Sequence, residues 1–171
     1  GARALRRIGG PAVSATEVAD EDRARRSVLG IPVTARPAAQ TIGFRIENDG
    51  DSRHMEIDQL GDPFTPEDVS GWLSRALADA DWVHAGSLTR EDFPAETLAA
   101  LARAHVISFD GQGLVRRPEV GELVLDADYD PEVLEHVRIL KVAHDELEAL
   151  GLELEESDLA SLGVREVVVT L

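Results

Sequence analysis

Cysteine is absent from these 171 residues. Disulfides, thiolate metal sites and cysteine nucleophiles are therefore excluded, which fits a cytoplasmic protein. Lysine is almost missing: Lys141 stands alone, and arginine carries the remaining basic charge. Acidic residues outnumber basic ones by 33 to 17, a formal net charge of -16. A surface of that sign repels phosphate backbones, so nucleic acid is excluded as a partner. The acidity reads instead as a solvated, soluble exterior. Long apolar runs are missing too, so no membrane span is expected. No secretory leader is visible, although the first residue is Gly1 rather than Met. Walker-type and GxGxxG loops do not occur. His54, His84, His105, His136 and His144 include no pair at i, i+4, and Ser87 and Thr89 lack a nucleophile elbow. Motif chemistry alone specifies no enzyme.

What is present is a core. Hydrophobic residues make up 43% of the chain, enough for one packed domain. Residues 2–8 read as a helix ended by Gly9 and Gly10, and an Arg-rich helix is expected around 20–29. IPVTARP is extended and closed by Pro37. In TIGFRIE, Ile42, Phe44 and Ile46 alternate with polar or small residues, the pattern of a half-buried strand. NDGD supplies a turn with Asp49-Gly50 suited to positive φ, and RHMEID returns as the partner strand. The polar face of this hairpin would meet solvent or a ligand.

From residue 65 the period changes. Thr65 caps a helix with Pro66 in its first turn and Asp68 three residues on. Val69, Trp72, Leu73, Ala76 and Leu77 form its apolar stripe. Strands are then expected at DWVHAG, 105–110, 137–142 and EVVVT, with helices over 94–104, near Pro131, over 144–150 and over 157–162, the last stopped by Gly163. The consecutive valines 167–169 predict a strand buried on both faces. Alternating strands and helices imply βαβ units: an α/β fold, with a Rossmann-like, mostly parallel sheet and flanking helices.

In such a sheet ligands bind beyond the carboxyl ends of the strands. The loops at 86–89, 110–113 and 143–146 are then the ones that matter. Asp110-Gly111-Gln112-Gly113 sets a carboxylate and an amide between glycines that admit a ligand close to the backbone. The competing reading is an ordinary strand-to-loop turn. Glu146, in a first helical turn, reads either as a carboxylate answering the helix dipole or as a metal or metal-water ligand near phosphates.

The order of these segments resembles the ribokinase-like (PfkB-type) family of sugar and nucleoside kinases over essentially the whole chain. ARALRRIGG is similar to the helix after the family's first glycine-rich motif. RPAAQTIGFRIENDGDSRHMEID resembles its lid, a small sheet over the sugar site, here at about 31–60. WVHAGSLT, VISFDGQGLVR, ILKVAHDELEAL and GVREVVVTL have family counterparts in the same order.

The resemblance implies one domain over 1–171, incomplete at both ends. It implies an ATP-dependent kinase acting on a hydroxyl of a sugar or nucleoside, with magnesium. Asp110, Gln112 and Arg116 would lie near substrate and phosphate transfer, and Thr41 and Arg45 in the lid beside substrate. Glu146 matches the glutamate of the family's Asn-x-x-Glu motif, which organises magnesium and phosphate, and Thr170 would approach the nucleotide. One departure is Ala143, which stands where that motif has asparagine. Another is the Gly-Ala-Gly-Asp motif carrying the catalytic base, which would lie beyond Leu171, so the chain alone is expected to be inactive. The alternatives are a non-catalytic, regulatory relative that binds a sugar or nucleotide, and a shortened product without function. A homodimer through the lid face of Ile42, Phe44 and Ile46 is a further implication, with core packing as its rival.

Overall fold

The computed structural model describes residues 11–22, 30–50 and 52–171. The helix expected over 2–8 and most of the one expected over 20–29 lie outside the described residues; 20–22 form a single tight turn.

Three sheets are present among the described residues. Strands β1 (Ser14–Val18) and β2 (Val33–Pro37) pair in parallel. The hairpin β3 (Gly43–Asp49) and β4 (Ser52–Gln59) is antiparallel, turning where Gly50 takes φ 59°. A short strand β7 (Gly121–Glu122) completes it on the β4 side. The third sheet is wholly parallel, in the order β5 (Trp82–Ala85), β6 (Val106–Asp110), β8 (Ile139–Ala143), β9 (Glu166–Thr170). The alternation read from the sequence thus produces an α/β body with a small antiparallel sheet. Val33–Pro37, expected with the lid, pairs with β1 instead.

Helical turns α1 (Pro66–Asp68) and α2 (Ser74–Ala76) flank a π-helical stretch, Val69–Leu73. They precede β5; α3 (Ala95–Ala102) precedes β6, and α4 (Gln112–Val115) follows it. Then come α5 (Glu132–Glu135) before β8, and α6 (His144–Ala149) and α7 (Glu156–Ser161) before β9. Gly163 stops the last helix with φ 69°, as expected. One face of the parallel sheet, carrying Ile107, Phe109, Leu140 and Val142, packs on Leu98, Leu101, Leu114 and Leu147. These side chains are nearly inaccessible. Burial of each stabilises by about 1.5–3 kcal/mol.

The expectation for the final strand needs correction. Val167 and Val169 are half-buried, but Val168 is 49% exposed. Among the described residues β9 is an edge strand, and its even-numbered residues share the open face with Lys141.

Asp68 ties β1 and β2 to the body. Its Oδ2 accepts from the Thr65 N–H at 3.0 Å, closing the expected capping box. Its Oδ1 accepts from Arg36 at 2.8 Å and from the Trp72 indole at 3.0 Å. Arg36 also pairs with Glu17 on β1. Burial pushes the Glu17 carboxyl up, and Arg36 pulls it back.

The run at 110–113 is another correction. It is a strand end passing directly into α4, not an open loop, and its glycines are buried. A Cβ on Gly111 would fall 2.6 Å from Val142 Cγ1 and 2.7 Å from Glu146 Oε2. On Gly113 it would fall 2.4 Å from Phe109 Cζ and 2.5 Å from Ser87 Cβ. Both glycines pack against side chains of this chain.

Gly113→Ala is therefore expected to destabilise the chain by about 1–3 kcal/mol in denaturant unfolding. Gly71→Ala, where no atom lies within 4 Å of the new Cβ, should instead stabilise it by about 0.5–1 kcal/mol.

Candidate functional site

The carboxyl ends of β6, β8 and β9 place Asp110, Ala143 and Thr170 along one edge of the sheet. Asp110 and Lys141 are register partners, and Lys141 Nζ reaches Asp110 Oδ1 at 3.4 Å. Just beyond them, α4 ends at Arg116 and α6 begins with Asp145 and Glu146 in its first turn.

Glu146 is 3% exposed, and its Oε2 accepts from the Ala143 N–H at 2.8 Å. This is half of a capping box; alanine has no side-chain acceptor to supply the other half. Burial raises the Glu146 pKa, while the Ala143 N–H and Lys141 pull it back. Arg116 is half-buried, and burial lowers its pKa against the attraction of Glu146, Asp110 and Asp145. Its guanidinium carbon lies 5.8 Å from the centroid of the Phe44 ring, a cation–π contact with the hairpin.

Arg116, Asp145 and Glu146 line a cleft of about 310 Å³ together with Arg53 and Met55 of β4. The tongue that follows α4 closes it. Arg116 bridges to Leu125, the Arg117 N–H donates to Val124, and β7 at the tip joins β4. The Arg90 side chain holds the tongue's base at Asp126 and Asp128.

Of the residues singled out in the sequence, Arg116 and Glu146 line this cleft. Asp110 is near enough to act on both electrostatically, and Gln112 opens α4 between Asp110 and Arg116. Three lie elsewhere. Thr41 accepts from the Ala19 N–H at 2.9 Å and so fixes the end of β1 to the hairpin. Arg45 pairs with Glu56 and Asp58, each at 2.8 Å, on the hairpin face opposite Phe44. Thr170 is exposed and donates to the Val142 carbonyl at 3.4 Å.

Arg53, Lys141 and Asp145 were not singled out as site residues in the sequence. Arg53 shares a strand face with Met55 and Ile57 and is itself exposed, at the rim of the cleft. A second cleft of about 320 Å³ lies between β1 and the loop after β5, lined in part by Thr16, Gln40, Asp62 and His84. Gly86 and Leu88, from the loop singled out at 86–89, also line it. Among the described residues no three His, Cys, Asp or Glu side chains gather to hold a metal. Asp145 and Glu146 are the cleft carboxylates that could face a cation accompanying a ligand's phosphates.

The Glu146 shift has a definite sign. A raised folded pKa adds stability below the ordinary value near 4.5 and loses it as pH climbs through the raised value. Glu146→Gln keeps an oxygen for the Ala143 N–H without the charge. It should melt higher than wild type at pH 8 and match it at pH 4, both read by thermal denaturation.

No family model and no curated protein matches the sequence. Solved structures do. A pyrophosphate-dependent kinase of the ribokinase family, in a sulfate complex, superimposes with TM-score 0.81 at 26% identity, over 95% of this chain and 60% of that one. Ribokinase from Thermotoga maritima gives 0.61 at 19%, over 95% and 54%. A Burkholderia thailandensis nucleoside kinase bound to inosine gives 0.60 at 19%, over 99% and 55%. The chain thus spans about three fifths or less of the length of these structures. Over that span it has the ribokinase-like fold, a parallel α/β sheet with a small antiparallel sheet beside it.

Proposed function

We propose that this chain is part of an ATP-dependent small-molecule kinase that phosphorylates a hydroxyl of a sugar or nucleoside. One observation carries the reading. On a ribokinase-like fold, Arg116 and Glu146 meet in a cleft at the carboxyl edge of the sheet, with Asp110 and Lys141 beside it. Phosphoryl transfer requires mainly positioning and electrostatic stabilisation, and a cleft of fixed charges between sheet and lid suits both.

In this reading Asp110, Gln112 and Arg116 border the acceptor and the transferring group. Glu146 faces magnesium, Thr170 faces the nucleotide, and Thr41 and Arg45 belong to the lid. Magnesium, carried by the donor, would neutralise phosphate charge. The reading assigns the base to none of these 171 residues, in which no Gly-Ala-Gly-Asp motif occurs. The protein works in the cytoplasm; no helix among the described residues is long and apolar enough to cross a membrane. Ile46, 46% exposed on the lid, supports a homodimer through that face.

Two observations favour variants of the reading. The pyrophosphate-dependent kinase has a higher identity and TM-score than the ribokinase or the nucleoside kinase, which makes pyrophosphate the rival donor. Ala143 offers no side-chain hydrogen bond beside Glu146, which favours a non-catalytic relative that binds a sugar or nucleotide.

The natural protein carrying this sequence should transfer phosphate from ATP to at least one of a panel of sugars, inositols and nucleosides. Pyrophosphate is run in parallel. No transfer from either donor, with saturable binding of a sugar or nucleotide in calorimetry, would establish the non-catalytic reading. The 171-residue chain alone should show no turnover, and turnover by it would contradict an external base.

A further inference from the structure

The arginines of this acidic chain differ in what they hold. Arg36, Arg45, Arg90 and Arg117 each pair with a carboxylate. Arg53, Arg75, Arg103, Arg116, Arg138 and Arg165 show no carboxylate partner among the described residues, and of these Arg53 and Arg116 line the 310 Å³ cleft. They reach it from different elements. Arg53 is on lid strand β4, opposite Asn48 in register, and so on the same face as Met55, Ile57 and Phe44. Arg116 is at the base of the tongue, over the Phe44 ring.

The cleft also has carboxylates. Glu146 commits one oxygen to the Ala143 N–H and is buried; Asp145 and Glu122 are exposed. These three would repel a bare anion. A phosphate accompanied by its cation meets both signs, with guanidinium groups for its oxygens and carboxylates for the cation.

We infer that Arg53 is a phosphate-binding residue of the lid, which grips one phosphate group of a ligand from the side opposite Arg116. This rests on the kinase reading for the ligand's class, and it assigns the lid a charge-bearing part in phosphate capture. The hairpin completes the phosphate site, because one of the two guanidinium groups is carried on β4. The phosphate belongs either to the donor or to an acceptor that is already phosphorylated.

Calorimetry on the 171-residue chain tests this, with magnesium pyrophosphate as the donor-type probe and a hexose phosphate as the acceptor-type probe. Arg53→Ala should weaken at least one of them by about tenfold or more. It should also reduce the salt dependence of binding and leave the melting temperature unchanged. Arg53→Lys should recover part of the loss, since it keeps the charge but not the fork. Arg103→Ala, exposed on the far end of α3, serves as the net-charge control and should bind as wild type does. The probe that responds identifies the source of the phosphate. Equal binding by Arg53→Ala and wild type, no binding of either probe at millimolar concentration, or an equal loss in Arg103→Ala would each overturn the inference. Arg53-dependent binding without phosphoryl transfer in the natural protein would end the kinase reading and leave the clamp standing.

Discussion

Two hydrogen atoms, where any other residue has a Cβ, set the geometry of the carboxyl edge. Gly111 lets β6 turn directly against Val142 and the Glu146 carboxylate, and its N–H donates to the Lys141 carbonyl at 2.7 Å. Gly113 lets α4 settle onto Phe109 and Ser87. A methyl on Gly111 would push the start of α4 away from β8, and one on Gly113 would push α4 away from β6 and the loop after β5. Arg116 ends that helix, so the glycines fix how far its guanidinium lies from Glu146. Interiors packed as densely as crystals transmit such displacements instead of absorbing them.

Buried charge elsewhere follows a different rule. Asp68 and Glu17 are nearly inaccessible, yet Arg36 lies between them and the Trp72 indole and Thr65 amide satisfy Asp68 further. Such a network specifies how two elements dock, because removing any member leaves a buried charge unpaired. It joins the β1–β2 pair to the helical segment over an otherwise loose seam. The cleft at the carboxyl edge is organised the other way. Arg116 is attracted by three carboxylates and closes on none, and Glu146 is held by a backbone amide instead of a cation. The Arg36 network docks two elements of the fold, whereas Arg116 and Glu146 line the cleft where a ligand would enter.

Much of the body was legible because local signals agreed. Thr65 and Asp68 announced their capping box, Asp49-Gly50 its turn, and the valine-rich runs their strands. What escaped did so for physical reasons. β7 is two residues long, too short for any period to show, and it exists only because β4 offers an edge. α4 contains Gly113 and follows Gly111, so its four residues read as a turn; the demand for glycine comes from side chains remote in sequence. The π-helical turn leaves the stripe of Val69, Trp72 and Leu73 recognisable while changing its pitch. At the site, Glu146 and Arg116 could be singled out by likeness to known kinases. Thr41 and Arg45 were singled out in the same way, yet their partners are Ala19, Glu56 and Asp58. Strand parity separates Arg45 from Arg53, and parity is visible in sequence only once the inward face is known.

The third strand of the small sheet has a kinetic consequence. β3 and β4 adjoin in sequence and can pair on the microsecond scale of an isolated hairpin. β7 reaches them from the far side of β6, held in place by Arg90 and by α4. Its pairing with β4 closes a long loop, the kind of non-local contact that slows folding. The small sheet is therefore expected to be complete only after the parallel sheet has formed. A chain caught before that point would present the open edge of β4 to its neighbours, where two copies could exchange strands.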